Sequence, residues 1–219
     1  MSDETGMPKA DDIAAMFTRA GGGYLFARWG RPVVPVVFGV DASTLATVKG
    51  AVEAVVTLAG HQMAETDPEL GANLMIFFFR DWQELLEVPN LDRMIEGLGD
   101  LVARLEGAGA NQYRVFRFDP AGAIRACFAF VRMDAALDEV PAETIALSQA
   151  VQMILLWGET AFAAHPPLAT ARGVTVLRPE VAALIRAAYD PVLPAVAQDA
   201  SHALRLAARL AAPRPEASA

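Results

Sequence analysis

Asn73-Leu74-Met75-Ile76-Phe77-Phe78-Phe79-Arg80 is a dense apolar run closed by a polar residue at each end. A run of this kind, with no alternating polar positions, predicts a strand buried on both faces. Such a strand needs covering layers, and helical patterns flank it. Upstream, residues 33–40 read Val-Val-Pro-Val-Val-Phe-Gly-Val, short and rich in β-branched side chains. Pro35 lacks an amide donor, so this strand belongs at an edge or a bulge. Asp41 or Ser43 then caps a helix in which Leu45, Val48, Val52, Val55, Val56 and Ala59 recur at helical spacing up to about Gly60.

Downstream, Asn90 opens a second amphipathic helix, with Leu91, Met94, Ile95, Leu98, Leu101, Val102 and Leu105 at three- and four-residue steps before Gly107 and Gly109. Residues 113–118 alternate large apolar and basic side chains, 119–122 carry turn chemistry, and 123–133 continue as a strand, which predicts a hairpin. Pro141 suits the first turn of a helix whose Ile145, Leu147, Ala150, Val151, Ile154, Leu155 and Leu156 occupy nearly every side. That helix lies in the interior. An irregular stretch at 158–178 leads to a helix at 179–189, a break at Pro191 and Pro194, and a last helix at 195–210. The expected fold is α+β: one domain at 24–211, a small mixed twisted sheet packed against several helices, with one apolar central helix. Residues 1–23 read as a detachable arm carrying a short amphipathic helix with Ile13, Met16 and Phe17. Residues 212–219 read as a disordered tail.

The chain has 219 residues, 54% of them hydrophobic, enough for a sizeable core, and a formal net charge of −8. Without a general basic field, nucleic acid is not an expected partner. Only 20% of residues are charged, which leaves room for exposed apolar area and predicts a protein partner or a homo-oligomer. The longest candidate span, 145–157, contains Ser148, Gln149 and Gln152 and falls short of the roughly 20 apolar residues a bilayer requires. No membrane span is expected. The polar, acidic start lacks the pattern of an export signal, so a cytoplasmic location is the expectation. Cys127 is the single cysteine and sits in an apolar run, as a small core hydrophobe does.

Chemistry-bearing motifs are sparse. His61, His165 and His202 are far apart and no two have metal-motif spacing. His61 and Glu65 are one helical turn apart, where an imidazole and a carboxylate share a metal or a proton, or simply end a helix with an ion pair. Neither a phosphate-cradling loop nor a nucleophile elbow is present. No catalytic residue, metal ligand or cofactor is therefore nominated. The interior helix is more informative, because Glu143, Ser148, Gln149 and Gln152 stand among apolar neighbours and buried polar groups need partners. They either form a short internal network or face a ligand cleft, and they are the candidate binding residues.

Four stretches taken in order carry a resemblance. They are Phe26-Ala27-Arg28-Trp29 leading into 33–40, the strand ending near Phe79, the helix with Leu147-Ser148-Gln149, and Ala188-Tyr189-Asp190-Pro191-Val192-Leu193-Pro194. Together, over about 26–210, the chain resembles a bacterial family of domains of unknown function whose members are similar to zincin-fold metallopeptidases. The resemblance implies a zincin-like domain whose interior helix corresponds to the one that carries His-Glu-x-x-His in zincins. In the resembling family, carboxylates and a glutamine stand there instead. On this chain Ile145 and Gln149 fall at the two ligand positions and Ala146 at the base position. Isoleucine does not coordinate zinc and alanine does not take a proton. Members of the family are often exported, whereas this chain starts without a signal pattern. The implied function is that of a non-catalytic zincin-like binding or scaffolding protein, a pseudoenzyme. Two alternatives stand beside it. One is a hydrolase with a rearranged site built from His61, Glu65 and His165 or Glu159. The other is a carrier of a small apolar ligand using Phe77-Phe78-Phe79, Met75 and Trp157.

Overall fold

The computed structural model describes residues 6–212. In chain order the elements are α1 (Ala10–Met16), β1 (Phe26–Ala27), β2 (Pro35–Phe38), α2 (Ala42–Leu58), β3 (Leu74–Phe79), α3 (Glu84–Glu87), α4 (Leu91–Met94), α5 (Leu98–Gly107), β4 (Gln112–Phe118), β5 (Ile124–Arg132), α6 (Ala135–Asp138), α7 (Ala142–Ile154), β6 (Leu168–Ala171), β7 (Val174–Leu177), α8 (Pro179–Ala188), β8 (Val196–Ala197) and α9 (Ser201–Ala211). The central sheet has the order β2-β3-β5-β4, with β2, β3 and β5 parallel and β4 antiparallel to β5. The fold is α+β with a mixed sheet.

β3 is an inner strand whose side chains sort by a period of two. Leu74 and Ile76 enter the core shared with α2 and α7, whereas Phe77 and Phe79 enter the core shared with α5. β5 divides the same way, with Cys127 and Ala129 on the first side and Phe128 and Phe130 on the second. Burial on both sides explains why β3 and residues 126–131 of β5 are uninterrupted by charged side chains. β2 takes the edge with Pro35 as its first residue, where a missing amide disrupts the ladder least. Asp41 caps α2 by accepting the Thr44 amide at 2.7 Å.

Several expectations are corrected. The helix expected from Asn90 to Leu105 is two pieces, because Ile95 is extended and Gly97 (φ 70) is left-handed between them. Its apolar spacing survives because Leu91, Ile95, Leu98, Val102 and Leu105 all enter the α5-side core. The interior helix ends at Ile154. Leu155 is extended and bridges Arg28, and the Leu156 amide donates to the Ala27 carbonyl at 3.0 Å. Residues 158–178 include the hairpin β6–β7, turned by Arg172 (φ 52) and Gly173 (φ 78). Arginine is an unusual occupant of a left-handed turn position, so the usual turn signal is missing. The last helix begins at Ser201, whose amide is held by the Asp199 carboxylate at 2.8 Å, and Val196–Ala197 pair with β1 instead.

The arm at 1–23 is not detachable over its described part. Ile13 and Phe17 are fully buried, Phe17 stacks on Trp157 with centroids 5.2 Å apart, and α1 packs against α9. Gly21, Gly22 and Gly23, which follow α1, lie in a turn closed by a bridge between Thr18 and Tyr24. Of the expected tail, residues 213–219 lie outside the described residues.

Candidate functional site: a cleft over the sheet edge

Edge strand β4 alternates like its neighbours. Tyr113 and Val115 pack toward the α5-side core, and Phe116 packs toward α7. The same period places Gln112 and Arg114 on the α7 side, and the ladder sets Arg114 beside Ala129 and Phe116 beside Cys127. From α7, Gln149 meets them while only 1% exposed. Its Nε2 donates to Gln112 Oε1 at 2.7 Å and its Oε1 accepts from Arg114 Nη2 at 2.9 Å. Arg114 Nη2 also donates to Gln112 Oε1 at 3.1 Å. The interior glutamine is thus satisfied by a network that crosses from helix to sheet edge.

The guanidinium in this network lacks a counter-charge. Among the described residues no carboxylate pairs with Arg114. Its Nε is buried with no acceptor. Burial lowers its pKa to about 10, so it remains protonated at neutral pH.

Arg114 lines a cleft of about 490 Å³ together with Gln112, Phe116, Gln152, Leu156, Trp157 and Phe162. Residues 157–159 with Phe162 and Ala163 form the opposite wall, and Gly158 fixes it. The Gly158 amide donates to the Met16 carbonyl at 2.8 Å. A Cβ there would lie 2.4 Å from the Thr18 carbonyl oxygen, so the two backbones approach this closely only without a side chain. That approach brings Arg19 to the rim, where it pairs with Glu159 and donates to the Trp157 carbonyl at 2.8 Å.

The four residues nominated from sequence divide. Gln152 lines the cleft and donates to Ser148 Oγ at 3.0 Å, and Gln149 supports the floor through Arg114. Glu143 is exposed in the first turn of α7 and takes no part in this network. Gln112, Arg114, Arg19 and Trp157 were not among the nominated binding residues. Arg114 was detectable, because the 113–118 alternation sets it two residues from Phe116 and therefore on the same, covered side.

The residues of the alternative hydrolase site do not converge. Gly60 (φ 68) ends α2, so His61 and Glu65 share no helical face. His61 instead donates from Nε2 to the Arg31 carbonyl at 2.9 Å, and Glu65 is exposed in a bend. Glu159 is engaged by Arg19, while His165 lines a different cleft with residues of α1 and α8. Among the described residues no three His, Cys, Asp or Glu side chains are grouped to hold a metal. Of the residues suggested for a carrier, Phe77, Phe79 and Met75 pack in the α5-side core, Phe78 packs toward α7, and only Trp157 lines the cleft. Burial holds the Cys127 thiol up at about 12, unsuited to nucleophilic work. Among the described residues no helix is long and apolar enough to cross a membrane. The chain matches no family model, no curated protein and no solved structure.

Proposed function

We propose that the chain is a non-catalytic binding protein, a zincin-like pseudoenzyme scaffold acting in the cytoplasm, and that it binds through the cleft over β4. The observation that carries this reading is the Gln149–Arg114–Gln112 network, which ties the central helix to a cleft floor bearing an uncompensated charge. Positions 145, 146 and 149, the ones the resemblance aligns with a catalytic motif, hold Ile145 and Ala146 packed in the interior and Gln149 engaged in that network. None of the three supplies an imidazole or a carboxylate.

A protein partner or a second copy of the chain is part of the same proposal, with exposed apolar residues such as Val192 (74%) and Leu204 (62%) as contact points. Light scattering that finds a monomer over a wide concentration range would remove the second copy. Catalysis is tested by a panel of peptide and ester substrates, with and without chelator, beside elemental analysis of freshly purified protein. The expected result is no chelator-sensitive turnover. Stoichiometric zinc together with turnover that the chelator abolishes would overturn the non-catalytic reading.

A further inference from the structure

Building on the binding role assigned to this cleft, we infer that its ligand is an organic monocarboxylate with an apolar or aromatic body, its carboxylate held by Arg114. Charge counting gives the first half of the argument. Arg114 and Arg19 are the cationic residues lining the cleft and Glu159 is the acidic one, so two positive charges and one negative leave a surplus of one. The surplus belongs to Arg114, because Arg19 and Glu159 neutralise each other. A desolvated guanidinium whose protein acceptors are two neutral amide oxygens, both at Nη2, retains donors for an anion and gains most from one. A single charge suits a carboxylate better than a phosphate dianion.

The wall composition gives the second half. Phe116, Leu156, Trp157 and Phe162 face the same space, and Trp157 is fixed by its stack on Phe17 and its edge contact with Phe162 at 4.9 Å. Preset aromatic walls around one charged anchor match a small amphiphilic acid, and about 490 Å³ accommodates one. Gln152, held by Ser148, offers a further polar contact at the rim.

The probe is 4-phenylbutyrate, compared with the neutral 4-phenylbutanamide and with inorganic phosphate, titrated against the full chain by isothermal calorimetry and tryptophan fluorescence. The acid should bind at least about tenfold more tightly than the amide, and phosphate should not compete. Arg114→Gln should remove that preference while the circular dichroism spectrum stays unchanged. The acid and amide comparison on the unaltered protein does not depend on any variant folding. Equal binding of acid and amide would overturn the carboxylate assignment and leave the cleft as a binding site. Binding of neither would overturn the assignment as well, and if protein taken directly from cells also carried no small molecule in native mass spectrometry, the cleft reading would fall with it. Competition by phosphate would replace the organic acid with an inorganic anion.

Discussion

The two faces of the central sheet are built from the same strands yet differ in kind. On the α5 side, Phe77, Phe79, Phe128 and Phe130 pack with Trp82, Leu98, Val102 and Leu105, and the Trp82 indole finds the Ala110 carbonyl at 2.8 Å. On the α7 side, the core of Leu74, Ile76, Cys127, Ala129, Val151 and Ile154 borders the Gln149–Arg114–Gln112 network and the cleft beyond it. The first face gains its stability from apolar burial. The second buries polar groups and one charge, which contributes less to stability than an apolar replacement of similar shape. The contrast indicates where binding and stability are separable: changes on the α5 side should cost stability alone, and changes in the α7-side network should act on the cleft.

The largest effect is expected from Phe130→Ala, which opens a cavity in the all-apolar core. Urea unfolding should register a loss of about 3–5 kcal/mol, with 4-phenylbutyrate affinity unchanged under conditions where the variant is folded. Affinity falling in parallel would show that the two faces are not separable. A smaller loss, about 1–3 kcal/mol, is expected for Gln149→Leu, which leaves Arg114 with Gln112 as its one remaining acceptor. Here affinity should also weaken, because the guanidinium loses the partner that orients it. A variant that unfolds like wild type and binds like it would mean the network does not hold the floor.

The smallest effect is in mild acid. His202, on α9 with Tyr24 OH at 2.9 Å from Nδ1, has its pKa lowered by burial, with Arg205 and Arg28 adding to the shift. His61 is lowered in the same direction, chiefly by burial. A depressed folded value means the unfolded chain takes up protons first. The stabilisation is therefore complete above the ordinary histidine pKa and is lost as pH falls below it. Melting temperature should decline from pH 7 toward pH 5, and His202→Gln should flatten that decline without removing it, since His61 still titrates. An equally steep decline in the variant would assign the effect elsewhere.

Much of the fold was legible because burial writes itself into periodicity. The 73–80 run, the capped helix after Asp41 and the 113–133 hairpin appear where their patterns place them. What was not legible depended on single backbone choices that composition does not encode. Gly97 turns left-handed inside an unbroken apolar period, Arg172 takes a turn position that glycine or asparagine usually fills, and Gly60 rotates His61 away from Glu65. The candidate site was half legible. Gln149 announced itself as a polar residue in an apolar helix, but its partners, Gln112 and Arg114, lie 37 and 35 positions away on a strand that only the fold brings alongside. Arg19 and Trp157 meet through the close contact at Gly158, which no local pattern foretells.

Arg114→Met separates binding from stability most directly, since it removes the charge and keeps most of the side-chain volume. Urea unfolding should show a loss of no more than about 1–3 kcal/mol, because the buried Gln149 Oε1 loses its donor while a charge without a counter-ion is removed, and calorimetry should find 4-phenylbutyrate binding reduced at least about tenfold. A variant that loses several kcal/mol yet binds the acid as wild type does would make Arg114 a structural residue and contradict its role in the cleft.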